Sequence, residues 1–309
     1  MKALLFPGQG SQSIGMAKEF YQEFKRVKGI FEEANDSLKY DLTKIIFDGP
    51  EEDLKLTKNT QPAILTTSFS IFEVLKNEFD FNVNNAIFYA GHSLGEYSAL
   101  LCAEALNFSD AVKLVHERGS AMQEAVPVGK GAMLAIINTP VDEIEKILKQ
   151  VKTEKDIIEI ANDNNNSQII VSGETNPIKK LQSYCQEKKI RNILLPVSAP
   201  FHCSLMKGAS DRMKEIIDIT DFRKPNKDII ANVNALPCSS PDQIKKLLIQ
   251  QIFSRVRWRE SIIYMINNGI KEFIEIGPGK VLTGLMKRIS KDTKNFSINS
   301  ISDIKSINV

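Results

Sequence analysis

The stretch Ala86-Ile87-Phe88-Tyr89-Ala90-Gly91-His92-Ser93-Leu94-Gly95-Glu96-Tyr97-Ser98-Ala99-Leu100-Leu101 decides the fold of this chain. An apolar run that reads as a strand enters a Gly-x-Ser-x-Gly turn. A run that reads as a helix, Glu96 to Leu106, leaves it. The pattern alone is weak, because an ordinary strand-to-helix turn can carry an incidental serine. The strand before it and the helix after it make it a candidate nucleophile elbow. Its two glycines allow strand and helix to approach closely around a sharp bend. Ser93 then projects at the positive end of the following helix. The N–H of Leu94 points to where an oxyanion would form.

Outward from the elbow, the chain alternates strands and helices, which gives an α/β fold with helices on both faces of a sheet. Ala3 to Phe6 reads as a buried first strand, and Pro7-Gly8-Gln9-Gly10-Ser11-Gln12 as a flexible loop at its carboxyl end, where such sheets place their binding crevice. That loop lacks the ending of a P-loop and the spacing of a dinucleotide fingerprint. Thr60-Gln61-Pro62 opens a long helix, with Thr60 as cap, Pro62 in the first turn and Gln61 at the helix start. Ser109 is expected to cap the next helix, whose Ala111, Leu114, Val115 and Met122 form one apolar stripe. Arg118 lies within that stripe. It serves either an internal salt bridge or a substrate carboxylate, and helical geometry alone favours the salt bridge.

Gly129-Lys130-Gly131 then reads as a hinge. Ala132 to Ile137 is a strand, Thr139-Pro140 starts a helix through Leu148, and Ile157 to Ala161 is a strand. Asn162 to Asn166 is an Asn-rich turn, Gln168 to Val171 a strand, Pro177 to Glu187 a helix, and Asn192 to Leu195 a strand. This βαββαβ order is ferredoxin-like. It predicts a small domain over 126–197, inserted into a large α/β domain made of 1–125 and 198–309. Beyond it, Pro200-Phe201-His202-Cys203 leads a helical run through Ile217. Ile229 to Val233 is a strand, Leu247 to Phe253 and Ser261 to Ile266 are helices, and Glu272 to Ile276 is a strand. A helix from Val281 to Ile289 follows, and the tail after Ser290 is expected to be polar and mobile.

Composition narrows the class of function. The 309 residues are 42% apolar and 25% charged, ordinary for a globular protein. A net charge of +2 argues against a nucleic-acid partner held by bulk charge. No run reaches the length of a membrane span. Met1 leads straight into the first strand, so no targeting segment is expected. Cys102, Cys185, Cys203 and Cys238 lack metal-ligand spacing, and reduced thiols in the cytoplasm are expected.

A serine hydroxyl needs a base. The chain has three histidines. His92 adjoins Ser93 in a turn where neighbouring side chains diverge, and His116 faces away from the apolar stripe. By elimination the base is His202, whose alternative role is to cap the helix that follows. No aspartate is marked as its partner, so a Ser-His dyad with a backbone or amide oxygen holding the imidazole is expected. No metal site is expected.

At this point the residues resemble the malonyl-CoA:acyl carrier protein transacylase family over almost the whole chain. Six ordered segments carry the resemblance: Phe6 to Gln12, Thr60 to Ala63, Gly91 to Glu96, Glu117 to Pro127, Val197 to Cys203, and Glu275 to Leu282. The resemblance implies a hydrolase-like α/β core with a ferredoxin-like insert. It implies Ser93 as acyl nucleophile, His202 as base and Arg118 as receptor of the malonyl carboxylate. The N–H groups of Gln9 and Leu94 would form the oxyanion hole, Gln61 would line the pocket, and the carbonyl of Gln251 would orient the histidine. Phe201 and Leu94 resemble the malonyl-selective members. Asn164-Asn165-Asn166-Ser167-Gln168 departs from the family's Asn-Ser-Pro-Gly-Gln. The implied reaction is ping-pong malonyl transfer from malonyl-CoA to acyl carrier protein, in fatty acid synthesis, without a cofactor; a cytoplasmic monomer is expected. A serine hydrolase and a non-catalytic carrier-protein scaffold are the rival readings.

Overall fold

The computed structural model describes residues 1–307 except Asp80 and Ser198. The domain boundary expected at Ser198 therefore lies outside the described residues.

Strand β1 (Lys2–Phe6) is buried on both faces. Leu4 and Phe6 join one apolar cluster, Ala3 and Leu5 another on the opposite side. Burial on both faces is what a parallel sheet covered by helices requires. Helices α1 (Lys18–Glu23), α2 (Lys25–Leu38), α3 (Leu42–Asp48) and α4 (Glu51–Lys55) follow, then the 22-residue α5 (Thr57–Glu78). The sequence reading assigns nothing to α1–α4, although Val27, Ile30, Phe31 and Ala34 form the buried stripe of α2. Strand β2 (Ala86–Gly91) leads into α6 (Gly95–Cys102), and α7 (Phe108–Glu124) comes next.

Helix α5 starts a turn earlier than expected, at Thr57. Thr60 is inside the helix, and its hydroxyl donates back to the carbonyl of Leu54 at 2.5 Å instead of capping. Pro62 is inside as well, and its missing N–H leaves the Lys58 carbonyl free. His116 Nδ1 takes that carbonyl at 3.0 Å, so His116 is a half-buried structural residue. Asn107, not Ser109, caps α7: its side chain accepts from the N–H of Asp110.

The chain then builds β3 (Gly131–Ile137), α8 (Val141–Val151), β4 (Ile158–Asn165), β5 (Gln168–Glu174), α9 (Thr175–Glu187) and β6 (Asn192–Leu194). Their antiparallel sheet has the order β4-β5-β3-β6. The Asn-rich turn expected at Asn162 to Asn166 is strand as far as Asn165, and the side chains of Asp163, Asn164 and Asn165 all find partners. The carboxylate of Asp163 accepts two bonds from Arg259, at 2.9 and 2.7 Å. The Asp163 N–H donates to Val256, and the Val256 N–H to Ala161. Tertiary partners override the turn preference of asparagine, and these bonds fasten the second sheet to Arg259 and to Val256.

After it come α10 (Lys207–Ile219), β7 (Asp228–Ile230), β8 (Pro237–Cys238), α11 (Pro241–Gln251), α12 (Trp258–Asn267), β9 (Glu272–Ile276) and α13 (Val281–Met286). The tail expected to be mobile carries regular structure among its described residues. It forms β10 (Lys294–Ile298), parallel to β9, and α14 (Ile301–Ser306). The large sheet runs β10-β9-β1-β2-β7-β8, parallel except for the β7–β8 pair. No described helix is long and apolar enough to cross a membrane.

Candidate active site

The elbow forms where β2 ends. A Cβ on Gly91 would lie 1.9 Å from the backbone of Gly95, and one on Gly95 would lie 2.1 Å from the carbonyl oxygen of Phe6. Only glycine allows strand, turn and helix this close. Ser93 takes φ 53°, the left-handed region that an elbow imposes on its serine. Asn232, just past β7, holds it there: its Oδ1 accepts from the N–H of Ser93 at 2.7 Å, and its Nδ2 donates to the Gly91 carbonyl at 2.7 Å.

His202 also has positive φ, 59°, in the segment before α10. It caps nothing, since α10 starts at Lys207 with Met206 as its cap residue. Its Nδ1–H donates to the main-chain carbonyl of Gln251 at 2.9 Å, which accepts only. In the neutral ring Nε2 is then the acceptor, 2.8 Å from Ser93 Oγ. Burial and the Arg118 charge push the pKa of His202 down to about 3. The imidazole is therefore neutral, and able to take a proton, throughout the neutral range. His92 points elsewhere: its Nε2–H donates to Asn164 Oδ1 at 2.8 Å, and Asn164 Nδ2 donates to Gln168.

Two consequences of the low His202 pKa are measurable. Loss of the base on acidification is expected well below pH 6.5, so serine acylation should keep its rate to about pH 5. An acid limb centred near 6.5 would place the ring in water. Stability has the same sign. The unfolded imidazole binds its proton near 6.5 and the folded one only near 3. This contribution is complete above about 6.5 and is lost as pH falls from there towards 3.

Arg118 is 1% exposed. Among the described residues no carboxylate pairs with it. Nη1 donates to Gln61 Oε1 at 2.8 Å, and Nη2 to Gln251 Oε1 at 2.9 Å and to Ser93 Oγ at 3.0 Å. The internal salt bridge that helical geometry favoured is absent among the described residues. Two neutral amide oxygens and the serine hydroxyl hold the guanidinium instead. Among those residues, the N–H groups of Gln9 and Leu94 have no protein acceptor.

A cavity of about 370 Å³ joins these groups. Gln9, Gln61, Ser93, Leu94, Arg118, Phe201 and His202 line it, with Asn162, Asn164 and Gln168 from the second sheet. Met122, Met133, Ile170, Leu195 and Val197 give it an apolar wall, and Val281, Leu282 and Leu285 of α13 complete the lining. Gln251 lies beneath, fully buried.

Asn232, Glu96 and Asn164 also hold groups of the site, without a role expected from the sequence. Glu96 had a signal: it is the one acid in the otherwise uncharged run of α6. Asn232 had a weaker one, a polar residue following the apolar end of a strand.

An α/β protein with a serine on an elbow, a neutral imidazole on its hydroxyl and a cation beside it has the equipment for acyl chemistry at serine. The acyl transferase domain family matches residues 3–306, and the chain belongs to that family. It is 42% identical over 304 residues to the malonyl CoA-acyl carrier protein transacylase of Bacillus subtilis (strain 168), spanning 98% of this chain and 95% of that one. The enzyme of the same name from Haemophilus influenzae is 38% identical over 306 residues, with 99% and 97% covered. Among solved structures, the acyl-carrier-protein-S-malonyltransferase of Bartonella henselae matches with TM-score 0.95 and 43% identity over 99% of this chain and 97% of that one. A type II PKS acyl-carrier protein in complex with its malonyl-transacylase matches with TM-score 0.94 and 37% identity, covering 99% and 98%.

Proposed function

We propose that this chain transfers the malonyl group of malonyl-CoA to the phosphopantetheine thiol of acyl carrier protein, through a malonyl ester on Ser93, in fatty acid synthesis. The observation that carries this is Arg118, a buried guanidinium 3.0 Å from Ser93 Oγ and paired with no carboxylate among the described residues. A cation so placed suits an acyl group that ends in a carboxylate. The relatives' names support the same substrate.

The proposed reaction is ping-pong. Ser93 Oγ attacks the thioester carbon while His202 Nε2 takes its proton. The N–H groups of Gln9 and Leu94 hold the oxyanion. Coenzyme A leaves with the proton from His202. The carrier thiol then attacks the ester, returning its proton through the same imidazole. Gln61 and Phe201 shape the acyl pocket, and Gln251 orients His202 through its carbonyl. Side chains and main-chain groups supply every step, so no cofactor is invoked. Four unpaired cysteines support a reducing, cytoplasmic setting.

We read 1–125 with 198–309 as a hydrolase-like domain and 126–197 as a ferredoxin-like insert. The strand order β4-β5-β3-β6 supports the second assignment.

Intact mass after mixing with malonyl-CoA tests the function. A malonyl adduct that persists in water and is discharged by acyl carrier protein is expected. Rapid discharge to free malonate without the carrier would instead indicate a hydrolase.

Docking of the carrier protein yields a separate prediction. Lys188, Lys189 and Arg191 are exposed, between α9 and β6. An acidic partner would be steered by such a cluster. Lys189→Glu with Arg191→Glu should raise KM for acyl carrier protein several-fold and leave acylation by malonyl-CoA unchanged. Equal loss in both half-reactions would assign these residues to folding.

A further inference from the structure

We propose that Glu96 balances the charge of the acyl site, its carboxylate taking up a proton from solvent when the malonyl carboxylate docks on Arg118 and releasing it when the acyl group leaves. This rests on the malonyl reading above.

Glu96 is 3% exposed, at the start of α6. Its Oε2 accepts from the N–H of Asn232 at 3.0 Å and from Nε2 of Gln251 at 2.8 Å. The other end of the same Gln251 amide accepts from Arg118 Nη2 at 2.9 Å. Anion and cation are thus separated by one amide. That spacing matters, because a direct ion pair would occupy the guanidinium edge that an incoming carboxylate needs. Neutral amide oxygens and a hydroxyl yield to a carboxylate more readily than a second carboxylate would.

With Glu96 ionised, the empty site holds one cation and one anion. A malonyl group adds a second anion beside the buried side chains of Arg118 and Glu96, where an uncompensated charge is strongly disfavoured. One proton must enter. The charged and titratable groups around Glu96 are Arg118 on α7, Tyr97 on its own helix, Cys238 on β8, and, across Gln251, His202. Burial raises Tyr97 and Cys238 away from the neutral range in their neutral forms. Burial and the Arg118 charge hold His202 near 3. Burial lifts Glu96 to about 7 against the bonds from Asn232 and Gln251 and the pull of Arg118. It is the group closest to accepting a proton.

The covalent step itself is proton-neutral. Thioester and serine hydroxyl give ester and coenzyme A thiol, and the thiol keeps the serine's proton near neutral pH. Any net uptake therefore belongs to the protein. Malonyl loading should weaken as pH rises through 7, by up to about tenfold per unit.

The test acylates the full chain with excess malonyl-CoA at pH 7.5 in dilute buffer with an indicator dye, counting protons per malonyl-serine. The wild type should take up roughly half a proton or more per site. Glu96→Gln, which keeps an oxygen acceptor, should be acylated without uptake and should lose the pH slope of KM above 7. If that variant does not fold, the wild-type count decides alone. Failure of malonyl-CoA to acylate the wild type overturns the malonyl reading. Full acylation without uptake overturns only the role of Glu96, as does uptake that persists in Glu96→Gln.

Discussion

Ser93→Ala should bind malonyl-CoA, form no covalent adduct and lose transfer by about 10⁴-fold or more. The serine hydroxyl lies 2.8 Å from His202 Nε2. Alanine tolerates the left-handed backbone at modest cost, and Asn232 still holds the residue's N–H. The fold should therefore survive, and a melting curve checks it. A competing nucleophile to consider is Cys203, next to the base in sequence. Burial pushes its thiol up to about 11, so almost no thiolate exists at neutral pH. A malonyl group found on the variant, at Cys203 or elsewhere, would refute the assignment.

Arg118→Ala separates two roles for a buried guanidinium. A malonyl carboxylate left unpaired in the cavity costs on the order of 3–5 kcal/mol, roughly a hundredfold to a few thousandfold in rate. Malonyl transfer should fall by that factor. Uncharged acyl groups such as acetyl should transfer as well as before, or better. Arg118→Lys should recover little, because an ammonium lacks the planar fork that reaches Gln61, Gln251 and a carboxylate together. Steady-state rates with malonyl-CoA and acetyl-CoA, taken side by side, decide. Equal loss with both acyl groups would make Arg118 a folding residue.

The parts of this site legible in the sequence are those written locally. Gly91, Ser93 and Gly95 fall within five residues between a strand and a helix, so the turn's geometry follows from its own residues. His202 emerged because only three histidines compete. Arg118 stood out as a charge on an apolar stripe, yet the stripe could not reveal what faces it. Its partners come from α5 and α11, far away in sequence. The run from Asn162 to Asn165 is strand for the same kind of reason: Arg259, Val256 and the neighbouring strand bond it, and all lie outside the run. Neither the positive φ of His202 nor the grip of Asn232 on Ser93 leaves a local pattern. Both depend on where β7 and the segment before α10 arrive in space.

Gln251 serves two masters through different atoms. Its main-chain oxygen holds His202, while its side-chain amide reaches Arg118, Glu96 and the carbonyl of Ser93. Every amino acid has that main-chain oxygen. In a Ser-His-Asp triad one codon change deletes the group that orients the histidine. Here no codon change at position 251 can delete it. The bearing of the imidazole is inherited from the path of the backbone at the end of α11, beyond the reach of point mutation at that site. What drift at 251 can alter is the amide, and with it the handling of charge around the acyl group. Orientation of the base and tuning of the charged pocket can therefore evolve independently, although one residue carries both.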